Sequence, residues 1–361
     1  MNYSLRLLAC FALALSFCNA SFTDVRAAEP VRIGLLGMDN YQGIAYTHLF
    51  NNPAAEGDLA GVYVTAAYQV ISDYPESAVL SARWWDQAKT YYQKPRKPGD
   101  VVPPAIEEVK SLDELFAKCD CVILAGLDGR QHLEQATAAL KAKKPVFIVR
   151  PCASSLEDVA KIFAVAKETG TPCWSSSQHR FVPGFSGMRN HPEVGNVLGV
   201  DIYGGYDLKH ADSDSLILPL HSIEALYAMI GSAGVETVAC TETPSTVTAT
   251  LFWKDGRIGT YRGIREGKVK YSATVFGDAG VSTSGVYGHG VPVKGIVPTN
   301  DKYMGYEGIA CEIAKAFKTG KVPVQPEETL EIFAVCEAMK RSAAQNGAKI
   351  PVASILEAVR K

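Results

Sequence analysis

The feature that most narrows the folds open to this 361-residue chain is the run Val31-Arg32-Ile33-Gly34-Leu35-Leu36, which stops on Gly37. Residues Gly43 to Asn51 then read as a helix, broken by Asn52-Pro53. A short apolar strand that passes through a glycine turn into a helix is the opening unit of a parallel sheet, because parallel strands need crossover connections. The alternation continues with Gly61–Tyr68 as a strand, Ser77–Gln93 as a helix, and Lys94-Pro95-Arg96-Lys97-Pro98-Gly99 as a loop. Ser111 opens another helix with capping chemistry, Cys121–Ala125 is a buried strand, Gln131–Lys141 a helix and Pro145–Val149 a strand.

Beyond Pro151 the rhythm changes. Ser154–Thr169 reads as a helix capped by Ser154 or Ser155, and from Leu198 strands are joined by hairpin-like turns. Val247–Trp253 and Ile258–Gly263 flank Lys254-Asp255-Gly256-Arg257, where Asp-Gly suits a type I′ turn. Val269–Phe276 adds a strand, and helices return at Glu307–Lys318 and Pro326–Asn346. The fold class is therefore α/β: a doubly wound parallel sheet followed by an α/β domain with a largely antiparallel open sheet.

The N-terminus carries one positive charge in Met1–Arg6, an apolar run Leu7–Phe17, and small residues ending in Val25-Arg26-Ala27. That is the layout of a Sec-type secretory signal over residues 1–28, with a periplasmic or secreted destination expected. Removing Cys10 and Cys18 from the nine cysteines leaves seven, an odd number with no Cys-x-x-Cys, so no disulfide framework is expected. Cys119 and Cys121 alternate along a strand pattern and are expected to face one layer as small buried hydrophobes. A formal charge of −2 with both signs interspersed gives no basic stripe for nucleic acid. No apolar run inside the chain is long enough to span a bilayer, so no membrane contact is expected once the signal is cleaved. No metal-ligand spacing and no Gly-x-Ser-x-Gly elbow occurs.

The order of motifs resembles the Gfo/Idh/MocA family, mostly nicotinamide-dependent oxidoreductases of sugars, polyols and related compounds. The resemblance rests on the Gly37 turn, His132 in His-Leu-Glu-Gln-Ala, and Lys144-Pro145-Val146-Phe147-Ile148-Val149-Arg150-Pro151. It continues through Ser175-Ser176-Ser177-Gln178-His179-Arg180-Phe181, through His221 in Leu-His-Ser-Ile-Glu-Ala-Leu-Tyr, and through Phe276-Gly277-Asp278-Ala279-Gly280. It implies a Rossmann domain at 29–151 and a substrate and oligomerisation domain at 152–361, its last helices packing back. It also implies NAD or NADP as cofactor, a carbohydrate-like substrate, and a homo-oligomer formed through the C-terminal sheet.

In a dinucleotide fingerprint, glycines let the backbone turn tightly and approach the pyrophosphate above a helix N-terminus. Gly37 and Gly43 are in place, but Asp39 stands at the second loop glycine, and the loop is one residue longer. A carboxylate facing the pyrophosphate costs roughly a kcal/mol or more at intermediate dielectric. The favoured reading is that Asp39 or Asn40 caps the helix instead. The second strand ends in Gln69-Val70, not in an acid, so neither NAD nor NADP is singled out.

By resemblance, Arg150 occupies the position of the family's lysine beside nicotinamide and substrate. Arginine keeps the charge but cannot relay protons, which makes Arg150 an electrostatic or substrate-binding group. His221 is the best acid/base candidate. Ile223, Leu226, Tyr227 and Ile230 form the apolar stripe of its helix, and His221 projects nearly opposite. Glu224, one turn on, is placed to orient the ring, and the helix N-terminus favours neutral imidazole. The family's aspartate four residues earlier is Ile217 here. Arg180, Lys209, His210 and Glu224 are further candidates for substrate contact. His179, Asp212 and Asp214 lie in the same two segments.

Three functions stay open on the sequence alone. The first is an exported NAD(P)-dependent oxidoreductase, with Gly37, Asp39, Asn40, Gly43 and Arg150 at the cofactor and His221 with Arg150 at the chemistry. The others are an NAD-dependent glycosidase on the same fold, and a non-catalytic carbohydrate- or nucleotide-binding protein.

Overall fold

The computed structural model describes residues 29–90, 102–189, 191–206, 219–231, 234–266, 271–285 and 305–359. The segment 1–28, Lys209, His210, Asp212, Asp214 and Ile217 lie outside the described residues.

Strands β1 (Val31–Leu36), β2 (Val62–Tyr68), β3 (Glu107–Val109), β4 (Cys121–Leu124), β5 (Val146–Val149) and β6 (Cys173–Ser176) form one sheet. Its order is β3-β2-β1-β4-β5-β6, every pairing parallel. Helices α1 (Tyr41–Phe50), α2 (Ser77–Thr90), α3 (Leu112–Lys118), α4 (His132–Lys141) and α5 (Leu156–Thr169) alternate with the strands along the chain. Strand order reverses between β1 and β4, which opens a crevice at their carboxyl ends, the place where such sheets bind ligands. The sheet extends past Pro151, because β6 is hydrogen-bonded to β5.

After the short helix α6 (Pro183–Ser186) come β7 (Val197–Gly205), α7 (Leu220–Ile230), β8 (Val235–Glu242), β9 (Thr246–Trp253), β10 (Ile258–Ile264), β11 (Ser272–Gly277) and β12 (Val281–Gly285). Helices α8 (Glu307–Thr319) and α9 (Pro326–Ala344), strand β13 (Ile350–Pro351) and helix α10 (Val352–Val359) complete the described chain. The second sheet runs β12-β11-β7-β10-β9-β8-β13 and is antiparallel except where β10 meets β7.

Period-two alternation divides the core. In β5, Val146 and Ile148 face a cluster continuous with Val200, Leu226 and Trp253 of the second domain. Phe147 and Val149 face the opposite layer, where they meet Trp174 and Ile309 and Ile313 of α8. Helix α8 thus packs on the first sheet. Ser155 caps α5 by accepting the Asp158 amide, and Gly170 closes that helix at φ +63°.

Two local expectations are corrected. Cys119 and Cys121 are both buried, but on opposite sides of the sheet. Cys119 ends α3 and the chain bends at Asp120 before β4 begins, so the strand period does not link them. The β9–β10 turn is not type I′. Lys254 and Asp255 keep negative φ, and only Gly256, at φ +89°, is left-handed. The Gly256 amide bonds the Trp253 carbonyl, and the four-residue loop gives a type I turn with a glycine bulge.

Gly37 also sits at φ +89°, and a Cβ there would come within 2.6 Å of the Gly126 backbone nitrogen. At Gly43 a Cβ would make only ordinary contacts of 3.5–3.6 Å with Ala125 and Leu35. Gly37→Ala is therefore expected to cost about 2 kcal/mol or more, from strain plus backbone overlap. Gly43→Ala, inside α1, is expected to be neutral or to gain up to about 1 kcal/mol. Urea denaturation midpoints of the two variants check this. Equal effects would show that the turn is not pinned against the Gly126 loop.

Candidate active site

The loops at the carboxyl edge of the parallel sheet are sewn to one another. Asn40 is the N-cap of α1 and accepts the Gln42 amide at 3.0 Å. Asp39 does something else. Its carboxylate, 1% exposed, accepts the Ser77 hydroxyl at 2.6 Å and the Leu127 amide at 2.8 Å. The capping role offered to either residue thus belongs to Asn40, and Asp39 ties the β1 loop to the start of α2 and to the loop after β4. Arg130 adds ion pairs to Asp128, at 2.6 Å, and to Asp73 in the loop after β2.

This arrangement bears on the fit of a dinucleotide. The backbone pinch at Gly37 and Gly126 and the N-terminus of the ten-residue helix α1 are what a pyrophosphate requires. The Asp39 carboxylate is turned into the protein and satisfied there, so the expected repulsion falls away. Gln69, where a ribose-binding acid is common, donates to Glu108 at 2.7 Å and accepts from Ser81 at 2.9 Å. The residues present fit the cofactor at the turn, with Glu108 supplying an acidic group beside Gln69.

Arg150 follows β5 directly, and a buried ring holds its neighbour. His132 Nδ1 lies 2.9 Å from the Pro151 carbonyl oxygen. A carbonyl can only accept, so the proton is on Nδ1. Arg150 is half-buried, its Nε has no hydrogen-bond partner, and no carboxylate pairs with it among the described residues.

Across the cleft, His221 is the second residue of α7. Its Nδ1 is 2.6 Å from Ser177 Oγ, and Ser177 in turn accepts the His179 amide at 3.1 Å. The rings of His221 and His179 are 4.5 Å apart, and Tyr271 packs its ring against both. Burial, then the charge of Arg150, then His179 hold His221 well below the ordinary histidine range. The same first two causes take His179 down to about 3. His221 is thus neutral at pH 7, as a general base needs, but desolvation and not the helix end leads the effect.

Glu224 does not orient the ring. It accepts Arg180 Nε at 2.7 Å and the Ser176 hydroxyl at 3.0 Å, while Arg180 also pairs with Glu328 at 2.6 Å. The Arg180 side chain is 11% exposed. Both residues, expected at the substrate, are committed to a buried ion cluster joining the Gln178–Phe181 turn, α7 and α9. Ser177, not Glu224, is the residue that holds the His221 ring. It lies in a quoted motif, but 44 residues from His221, and nothing local links the two. A cavity of about 740 Å³ opens at the other end of the sheet, between Pro30, Arg32, Tyr63 and Phe317. It holds none of these groups.

Residues 87–177 match the family model described as "Oxidoreductase family, NAD-binding Rossmann fold", GFO_IDH_MocA. The matched stretch runs from α2 to the end of β6 and contains His132 and Arg150. No curated protein matches the chain. The scyllo-inositol dehydrogenase of Lactobacillus casei, solved with NAD(H) and scyllo-inositol, is 16% identical with a TM-score of 0.66, covering 90% of this chain and 100% of its own. The myo-inositol 2-dehydrogenase of Lactobacillus plantarum is also 16% identical with a TM-score of 0.66, over 90% and 99%. The protein GenD2 of gentamicin A biosynthesis, solved with NAD, is 17% identical with a TM-score of 0.67, over 90% and 96%. At these identities the likeness is one of fold, shared over 90% of this chain.

Asp39 carries a measurable consequence. Burial raises its pKa above the ordinary 3.8, against the opposing pull of Ser77 and Leu127. An acid raised on folding contributes its stability at low pH and loses it as pH rises through the folded value. Asp39→Asn keeps an acceptor for Leu127 and offers Ser77 a donor, without that penalty. The variant is expected to gain on the wild type from about pH 4 upward and then level off. Chemical denaturation between pH 3 and 7 measures the difference. A constant gap across that range would remove Asp39 from the titration.

Proposed function

We propose that this chain is an NAD(P)-dependent oxidoreductase of the Gfo/Idh/MocA type, moving hydride between nicotinamide and a carbon–oxygen centre of a sugar-like or polyol substrate. The observation that carries the reading is His221. It is a histidine held neutral, fixed through Nδ1 by Ser177, and placed beside the unpaired charge of Arg150 at the carboxyl edge of the parallel sheet. Gly37 and the α1 N-terminus, with Asn40 shaping the turn, would hold the pyrophosphate. Gly43 lies in the first turn of α1, facing Ala125 and Leu35. When bound, the nicotinamide supplies the hydride acceptor or donor.

The protein's own part is proton handling and placement. A hydroxyl oxygen has two lone pairs, so Ser177 can accept both the His179 amide and a proton-bearing Nδ1 of His221. Nε2 is then the nitrogen that takes the proton from a substrate hydroxyl, or returns it to a carbonyl. Arg150 stays charged throughout, steadies the oxygen on which negative charge develops, and disfavours a cationic His221. Ser177 is a positioning residue for this base.

His221→Ala is expected to lower kcat by about 10²–10⁴ while leaving NAD(H) affinity by calorimetry within about twofold. Unchanged turnover would remove His221 from the chemistry. If neither NAD(H) nor NADP(H) binds the purified protein, the oxidoreductase reading fails as a whole.

The chain is further proposed to be exported, on the strength of the charged, apolar and small-residue layout of residues 1–28. The mature mass from the native host should begin near residue 28, and an intact N-terminus in the cytoplasm would refute export. A homo-oligomer through the second sheet is the matching proposal for assembly. Ile258, Phe276 and Val281 stand exposed there in a single row of paired strand positions.

A further inference from the structure

Resting on that functional reading, we propose that the substrate is a sugar acid, a polyhydroxylated molecule whose carboxylate is bound by the Arg150 guanidinium.

The argument starts from an imbalance of charge. Arg150 is half-buried at the end of β5, and no carboxylate pairs with it among the described residues. The comparison is the buried Arg180, which is matched by both Glu224 and Glu328. The fold thus compensates one arginine twice and leaves the other open. An uncompensated, partly desolvated cation is expensive unless a ligand supplies the counter-charge.

The second observation concerns donors. Arg150 Nε is buried without a partner. An alkoxide oxygen at the reacting carbon would engage one or two of the guanidinium's five donors and need not reach Nε. A carboxylate binds two parallel N–H groups at once, and with Nε closed off inside the protein the two terminal nitrogens offer that pair end-on.

The third observation is what surrounds the fork. Val149 pairs with Ser176, so Arg150 follows beside Ser177, which holds His221, and the Arg150 charge is felt at both His179 and His221. A fixed cation beside a neutral imidazole suits a ligand with one anionic end and several hydroxyls. His221 then works on a hydroxyl while the carboxylate fixes the orientation of the chain.

The test is calorimetric and does not depend on turnover. D-Gluconate and D-glucuronate are titrated into the mature protein, with D-glucose and myo-inositol as uncharged counterparts and inorganic phosphate as a simple anion. Each titration is repeated in Arg150→Met and Arg150→Lys. A carboxylate should bind the wild type at least about tenfold more tightly than its uncharged counterpart. Arg150→Met should bring that ratio close to one, and Arg150→Lys should keep part of it, since lysine retains charge but not the fork. The lysine variant and circular dichroism guard against a folding defect being mistaken for lost recognition. No carboxylate binding, equal binding of the neutral compounds, or a preference that survives Arg150→Met overturns the proposal. Phosphate binding as tightly as gluconate overturns the sugar-acid assignment. NAD(H) binding without a carboxylate preference would sink this inference and leave the oxidoreductase reading standing. Carboxylate binding without NAD(H) would do the reverse.

Discussion

Three loops at the carboxyl edge of the parallel sheet depend on a single buried carboxylate. Asp39 leaves the β1 turn, accepts Ser77 at the start of α2, and accepts the Leu127 amide beyond β4. Those loops border the crevice where strand order reverses, so their relative positions set the shape of any dinucleotide site. The pinch of Gly37 on Gly126 brings two backbones together with no side chain between them, and Asp39 closes the polar groups that such an approach strands. What reads in one dimension as damage to a glycine fingerprint is, in three, a brace for it.

Charge is distributed with the same economy around His221. Burial and Arg150 keep two imidazoles neutral, which leaves Arg150 as the fixed cation beside His221. The nearby Arg180–Glu224–Glu328 cluster is a separate device, binding the Gln178–Phe181 turn to α7 and α9 and so holding Ser177 and His221 at hydrogen-bond distance. The ion cluster and the His221–Arg150 pair are therefore made of different residues, although His221 and Glu224 share one helix.

Much of the architecture was legible because period and punctuation are local. Val146–Val149 alternate between two core layers as a strand must, Ser155 caps the helix it precedes, and Gly37 turns where only glycine can. The errors share a physical cause as well. Cys119 and Cys121 look alternate until Asp120 bends the chain, and the β9–β10 loop has enough length to need only one left-handed residue. Of the candidate site, His221 and Arg150 stood out in the sequence, but the residues that hold its side chains in place did not. Ser77 is 38 residues from Asp39, and Ser177 and Arg180 are each 44 from the groups they hold. Contacts of that span leave no mark on spacing or periodicity, and a carboxylate such as Glu224 offers the same signature whether it orients a ring or neutralises an arginine.

The cysteines set a condition on how this chain reaches its folded state. All seven among the described residues are unpaired, six of them buried and Cys311 half-buried. In the finished core, desolvation pushes the Cys119 thiol up to about 11 and those of Cys173 and Cys240 to about 12. Thiolate is then scarce and oxidants find little to attack. Before the core closes, the same thiols have their ordinary acidity and any two can be joined. In an oxidising compartment, survival becomes a race between burial and mispairing, and the packing of the two sheets protects the thiols only if it comes first.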